Sequence, residues 1–185
     1  MRAFVAIDIS DQVRRAIAEL LDGLRPLDSG VRWSRPEGLH VTLKFLGEIS
    51  AEQAEAARQG LAAVRGPVPF PVAIRGAGYF PNERAPRVVW LGVEAGPELA
   101  ELAGAVEAAL SSLGFPKENR PFSPHLTLAR LRAPGRVPAV QEALRRRQPV
   151  ELGTFEAAAF HFYESKPAAG GTVYQKIADF PLAAR

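Results

Sequence analysis

Two periods of apolar residues divide the chain into strands and helices. Residues 2–9, "RAFVAIDI", form a short continuous apolar run with the length of a buried strand. From Ser10, a residue type suited to the N-cap, the period changes: Val13, Ala16, Ile17, Leu20, Leu21 and Leu24 recur at the spacing of one helical face. A Gly/Pro/Ser-bearing loop leads to "LHVTLKFLGEI" (39–49), a strand. "SAEQ" at 50–53 is a capping box that opens a second helix reaching about Val64. "PFPVAIRGAGYF" and "RVVWLGVE" (87–94) read as strands joined by a Pro-rich turn. Pro97 opens a third helix, with Leu99, Leu102, Ala103, Val106, Leu110 and Leu113 on one face and Gly114 just past its end. "HLTLARL" is a strand, 137–147 a shorter basic helix, and "FEAAAFHFYES" and "TVYQKIADFPL" two closing strands.

The predicted order is strand, helix, strand, helix, strand, strand, helix, strand, helix, strand, strand. Recurring strand–helix units suggest an α+β protein of two similar lobes, each an antiparallel sheet with helices, in place of a doubly wound parallel sheet. Neither G-x-G-x-x-G nor G-x-x-x-x-G-K-[ST] occurs, so no Gly-rich nucleotide loop is present.

Two of the predicted strands repeat one frame, His-apolar-Thr-Leu: His40-Val41-Thr42-Leu43 and, 85 residues on, His125-Leu126-Thr127-Leu128. The chain has three histidines and four threonines in 185 residues. Chance would put Thr two places after two of the three His only about once in seven hundred such chains. In a strand, residues i and i+2 share a face, so each frame presents an imidazole and a hydroxyl about 6–7 Å apart, above two apolar residues turned to the core. If a pseudo-twofold relates the lobes, two imidazoles and two hydroxyls face each other across a cleft. That set suits phosphodiester chemistry without a metal. In-line displacement at phosphorus needs a base on the attacking side and an acid on the leaving side, and histidine serves both near neutral pH. The threonines offer neutral donors to charge growing on the non-bridging oxygens. His161, in "AFHFYES", lacks the frame and reads as a structural residue.

Composition narrows the alternatives. The absence of cysteine excludes disulfides, thiolate zinc sites, iron–sulfur clusters and cysteine nucleophiles. Two histidines need a third ligand to hold zinc, and no H-E-x-x-H or Cys/His cluster offers one. No G-x-S-x-G elbow supports a serine hydrolase. No apolar run approaches the roughly 18 residues of a membrane span, and the N-terminus lacks the h-region of a signal peptide, so the expected location is the cytoplasm. The net charge of +3 and pI of about 9.6 suit an anionic partner with a short contact such as an RNA end. Nineteen of the 23 basic residues are arginine, which grips phosphate bidentately, although a genome biased toward arginine codons gives the same count.

The two His-x-Thr strands, with "MRAFVAID", "GYFPNERAPRVVWLGV", "RPFSPHLTLAR" and "FYESKPAAGGTVYQKIADFPL", resemble the 2H phosphoesterase superfamily, in particular its LigT/ThpR branch of 2′-5′ RNA ligases and RNA 2′,3′-cyclic phosphodiesterases. The resemblance spans nearly the whole chain. It implies a single two-lobed catalytic domain over 1–185, one motif per lobe, with the active-site cleft between lobes. It implies hydrolysis of a terminal 2′,3′-cyclic phosphate on RNA to a 2′-phosphate, with no cofactor and no metal. His40 is then the proton donor to the departing 3′ oxygen, His125 the proton acceptor from water, and Thr42 and Thr127 the phosphate-binding residues. Only the second motif carries an arginine, Arg130, where the first has Phe45. Arg130 is five residues past His125, on the opposite pleat of a regular strand, so a bend or bulge is needed to bring it to the phosphate. Arg120 is a second candidate for RNA contact. Phe80 and Phe122 are candidates to stack a terminal base, while Trp90 reads as core. Two other readings remain open: 2′-5′ ligation by the same site run in reverse, with a 5′-hydroxyl replacing water, and a non-catalytic module that binds RNA ends.

Overall fold

The computed structural model describes residues 1–133 and 135–183, which contain nine strands and four α-helices. The strands are β1 (Arg2–Asp8), β2 (Val31–Trp33), β3 (His40–Glu48), β4 (Phe70–Phe80), β5 (Val88–Ala95), β6 (His125–Leu131), β7 (Glu151–Ala157), β8 (Ala159–Ala168) and β9 (Gly171–Pro181). The helices are α1 (Asp11–Leu24), α2 (Ala51–Ala62), α3 (Pro97–Ser112) and α4 (Pro138–Arg146). The local signals act as the sequence suggests. The Ser10 side chain accepts from the Val13 amide, and Ser50 and Gln53 close a reciprocal capping box. Pro97 starts α3, and Gly114, at φ +88°, lies just beyond its end where an L side chain is strained.

The strands form two sheets, and all pairings are antiparallel: β3-β1-β8-β9 and β2-β6-β5-β4-β7. Apart from the edge strand β2, the sheets repeat one order. A His-bearing strand (β3 or β6) pairs with the strand before it in the lobe (β1 or β5), then with a strand from the other part of the chain (β8 or β4), then with an outer strand (β9 or β7). The helices cross over as well. α1 leaves the first sheet and packs on β7 of the second, whereas α3 leaves the second and packs on β3 and α2. A buried ion pair anchors that last contact: Lys44 Nζ on β3 reaches both Glu107 carboxylate oxygens on α3, at 2.9 and 2.8 Å, and the Pro116 carbonyl at 2.8 Å. One apolar cluster runs through both layers, from Val5 and Ile7 through Leu21 and Val106 to Leu126 and Leu128.

Two elements depart from the sequence reading. "FEAAAFHFYES" is not one strand. It breaks at Ala158, where the chain leaves the second sheet as β7 and enters the first as β8. The run carries no Gly or Pro to mark the change, and only the differing partners on either side reveal it. The three-residue β2 has no counterpart in the sequence reading. It is held on the edge of β6 by Val31–Leu131, Arg32–Arg130 and Trp33–Ala129 pairing, while the Trp33 Nε1 bond to the Asp28 carbonyl, 3.0 Å, closes the turn that leads into it.

Candidate active site

Both motif strands carry the same irregularity. On β3, Ala6 pairs with Thr42 and Val5 with Lys44, leaving Leu43 unpaired. On β6, Trp90 pairs with Thr127 and Val89 with Ala129, leaving Leu128 unpaired. A β-bulge therefore follows each threonine, and it puts two successive residues on the core side. The burial along the two strands repeats accordingly. His and Thr are half-buried, the residues between and after them are buried, and the fifth residue past His is exposed. That fifth residue, Phe45 or Arg130, returns to the face of the His and Thr. The bulge that Arg130 requires is thus present. The second bulge is pinned from β2: the Ser34 hydroxyl donates to the Thr127 carbonyl at 2.6 Å, and the Ser34 amide to the Leu128 carbonyl at 2.8 Å. Across the junction of the sheets, β3 and β6 approach to within 8 Å between Cα atoms.

Each imidazole has a backbone group two residues upstream beside it. His125 Nδ1 lies 2.8 Å from the carbonyl of Ser123, two residues upstream. A carbonyl only accepts, so Nδ1 carries the hydrogen and Nε2 is left for substrate. The Gly38 backbone, two residues upstream of His40, favours the protonated form of that ring. Their surroundings differ. His40 stacks on Phe4 (centroids 4.5 Å apart, 22° between planes) and meets the edge of Tyr174 at 5.0 Å. It lines a pocket of about 280 Å³ with Asp8, Arg14, Glu37, Leu39, Tyr163, Tyr174 and Lys176. Burial holds its pKa down to about 4, with Arg14 pushing the same way and Gly38 and Asp8 opposing. His125 meets the edge of Phe80 at 5.0 Å.

Asp8, directly across from His40 in the β1–β3 register, gathers a polar cluster on the face of the first sheet. It accepts from the Tyr163 hydroxyl at 2.5 Å and from Lys176 Nζ at 3.0 Å. His161, 8% exposed, sits between Asp179 (2.5 Å from Nδ1) and Asp8 (3.5 Å from Nε2). Burial pushes the Asp8 carboxyl up, but the Tyr163 and Lys176 hydrogen bonds and the His161 and Lys176 charges outweigh it and hold it below its ordinary range. His161 is thus a satisfied interior group, as its lack of the frame suggested.

Other residues fall differently from the sequence reading. Trp90 is not in the core. It is opposite Thr127 on the same face, half-buried, in contact with Phe80 at 5.2 Å between centroids, over Gly78, where a Cβ would lie 2.2 Å from its ring. Arg120 and Phe122 are exposed on the connection between α3 and β6, and the Arg120 backbone amide donates to the Glu118 carboxylate. No group of three or more His, Asp or Glu placed to hold a metal occurs among the described residues, and none of their helices is long and apolar enough to cross a membrane. The sequence reading missed Phe45, Asp8 and Arg32. Phe45 had a visible signal, since it occupies the place in its motif that Arg130 occupies in the other. Asp8 and Arg32 had none, because only strand register sets them beside His40 and Arg130.

The family model for LigT-like phosphoesterases matches the chain twice, over residues 7–90 and 91–174. The RNA 2′,3′-cyclic phosphodiesterase of Thermus thermophilus is 38% identical over 189 residues, covering 98% of this chain and 90% of that protein. The protein of the same name from Archaeoglobus fulgidus is 36% identical, covering 97% and 99%. Among solved structures, TT0787 of Thermus thermophilus superposes with a TM-score of 0.82 at 34% identity, each chain covered to 98%. Escherichia coli LigT complexed with 3′-AMP gives 0.78 at 29% identity, with 99% and 98% covered. A fold built from two like sheets, each with a bulged His-x-Thr strand, and a family match that repeats once per half place this chain in the LigT-like phosphoesterase family.

Proposed function

We propose that the protein hydrolyses the 2′,3′-cyclic phosphate at the 3′ end of RNA to a 2′-phosphate, using His40 and His125 and no metal. The observation that carries this is the twinning of the bulged strands, which present an imidazole and a threonine hydroxyl from each sheet, the Nε2 of His125 being left free by its Nδ1 bond to the Ser123 carbonyl. The names of the curated relatives agree with the substrate class. Thr42 and Thr127 donate to the non-bridging oxygens. A water oxygen attacks phosphorus as His125 Nε2 takes its proton. The bond from phosphorus to the 3′ oxygen breaks, and His40 supplies the proton that oxygen needs. The product is a 2′-phosphomonoester beside a free 3′-hydroxyl.

The low pKa of His40 bears on this division of labour. In the free protein burial keeps the imidazole neutral at pH 7. A proton donor has to be charged, and the substrate supplies the reason for it to become so. One phosphate anion about 4 Å away, at an effective dielectric near 20, favours the imidazolium by about 4 kcal/mol, or roughly three pKa units. Substrate binding thus recruits the proton that His40 then delivers. Phe45, 68% exposed on the same face and 6.2 Å from the Phe4 ring, is placed to stack the terminal base. The reading is tested by incubating the protein with an oligonucleotide ending in a 2′,3′-cyclic phosphate, EDTA present, and identifying the product. A 2′-phosphate is expected. A 3′-phosphate would overturn the assignment of the leaving oxygen, and turnover that needs added zinc or manganese would overturn the metal-free site. Adding a 5′-hydroxyl oligonucleotide reads ligation in the same assay.

A further inference from the structure

Arg130 does not stand alone on its face. In the β2–β6 register it is directly opposite Arg32, so the two guanidinium side chains project from one face, with Cβ atoms about 4.5–5.5 Å apart. Both are exposed, and neither makes an ion pair or side-chain hydrogen bond among the described residues. Some other exposed arginines hold carboxylates, as Arg58 holds Glu55, Arg75 holds Glu94 and Glu151, and Arg145 holds Glu83 and Glu142; no carboxylate is so placed beside this pair among the described residues. Like charges directly opposite on a sheet repel. The pair is also held firmly, because Val31–Leu131 and Trp33–Ala129 pairing flanks it and the Ser34 hydroxyl and amide tie the end of β2 to the Thr127 and Leu128 carbonyls of β6. A charged pair that is built in, on the substrate face, and uncompensated by the protein fits an anion supplied from outside.

The spacing says which anion. Thr127 and Arg130 are three residues apart, at most about 10 Å along the strand, shortened by the bulge, and β2 is a further ~4.8 Å out. With the cyclic phosphate at the threonines, the arginine pair lies on the order of one nucleotide away. A phosphodiester offers two non-bridging oxygens to bidentate guanidinium donors. Resting on the cyclic-phosphate reading above, we propose that Arg32 and Arg130 form a subsite for the phosphodiester linking the terminal nucleotide to its 5′ neighbour, so that the enzyme selects RNA chains over 2′,3′-cyclic mononucleotides.

The test compares a 2′,3′-cyclic mononucleotide with two dinucleotides sharing its terminal base and cyclic phosphate, one with a natural linkage and one with an uncharged methylphosphonate linkage. Wild-type kcat/KM should favour the natural dinucleotide over the mononucleotide by about tenfold or more, carried in KM, and the neutral linkage should remove most of that gain. In Arg32→Ala the preference for the charged linkage should fall below about threefold, and the slope of log KM against log salt should drop by about one. Equal kcat/KM for mononucleotide and dinucleotide in the wild type, or a preference for the charged linkage that survives Arg32→Ala, overturns the subsite and leaves the cyclic-phosphate reading standing. No turnover of any of the three by the wild type overturns that reading and the subsite with it.

Discussion

His40 and His125 occupy matched places yet differ in setting, and the difference is measurable residue by residue. Replacing either by alanine should lower kcat by at least the ~10²–10⁴ associated with a general acid or base. His161→Ala should leave kcat within about tenfold of wild type, because that ring is engaged by Asp8 and Asp179. Steady-state kinetics on the three variants separates them, and a His125 or His40 variant that keeps a tenth of the activity would remove that residue from the chemistry. The imidazole resonances of His40 should titrate near pH 4 in the free protein and move upward when a non-hydrolysable phosphate ligand saturates the site. The sign follows from linkage. A pKa raised on binding means proton uptake between the free and bound values, so such a ligand should bind more tightly as the pH falls from about 7 toward 4. A His40 titration near 6.5 in the free protein would show that Phe4 and Tyr174 do not desolvate the ring.

At the level of the element, the bulged strand is the device that matters. A regular strand would turn Phe45 and Arg130 toward the core. One extra residue in each ladder returns them to the substrate face and gives one sheet an apolar contact and the other a basic one. Phe45→Ala should therefore raise KM for RNA ends by roughly 5–150-fold, the 1–3 kcal/mol of a base–aromatic stack, with little change in kcat. Because Phe45 is so exposed, the same variant should unfold at nearly the wild-type denaturant midpoint, and a large loss of stability would assign it to packing. Ser34 anchors the second bulge through one side-chain hydrogen bond to a backbone carbonyl. Its removal in Ser34→Ala should cost about 1 kcal/mol in chemical denaturation.

Across the whole molecule, the two similar halves of the sequence are not the two lobes. Each sheet takes strands from both halves, β8 completing the first sheet and β4 the second, and α1 and α3 each pack on the lobe they did not leave. Neither half contains a complete sheet of its own, so separated halves should not fold independently. The Lys44–Glu107 pair fastens this exchange. Lys44 is only 6% exposed, so Glu107→Ala strands a buried ammonium and should cost about 3 kcal/mol of stability. The double replacement Lys44→Met with Glu107→Leu should regain most of it, since no unpaired charge is then left inside. A double variant no better than the single one would show that the charges themselves hold α3 in place.

What the sequence determined by itself is what is encoded within a few residues. Caps at Ser10 and Ser50, the helical periods, the stop at Gly114 and the repeated His-x-Thr frame are local, and alternation along a strand suffices to put each His with its Thr. The partner strand decided the rest. Whether Leu43 and Leu128 bulge depends on which residues of β1 and β5 they oppose, and the break at Ala158 depends on β4 and β1 competing for one apolar run. The Arg32–Arg130 pair, the contact of Asp8 with a tyrosine 155 positions away and the burial that lowers the His40 pKa to about 4 all arise between segments far apart in the chain. A pleat fixes which residues share a face of one strand, but register and desolvation belong to the assembled sheets.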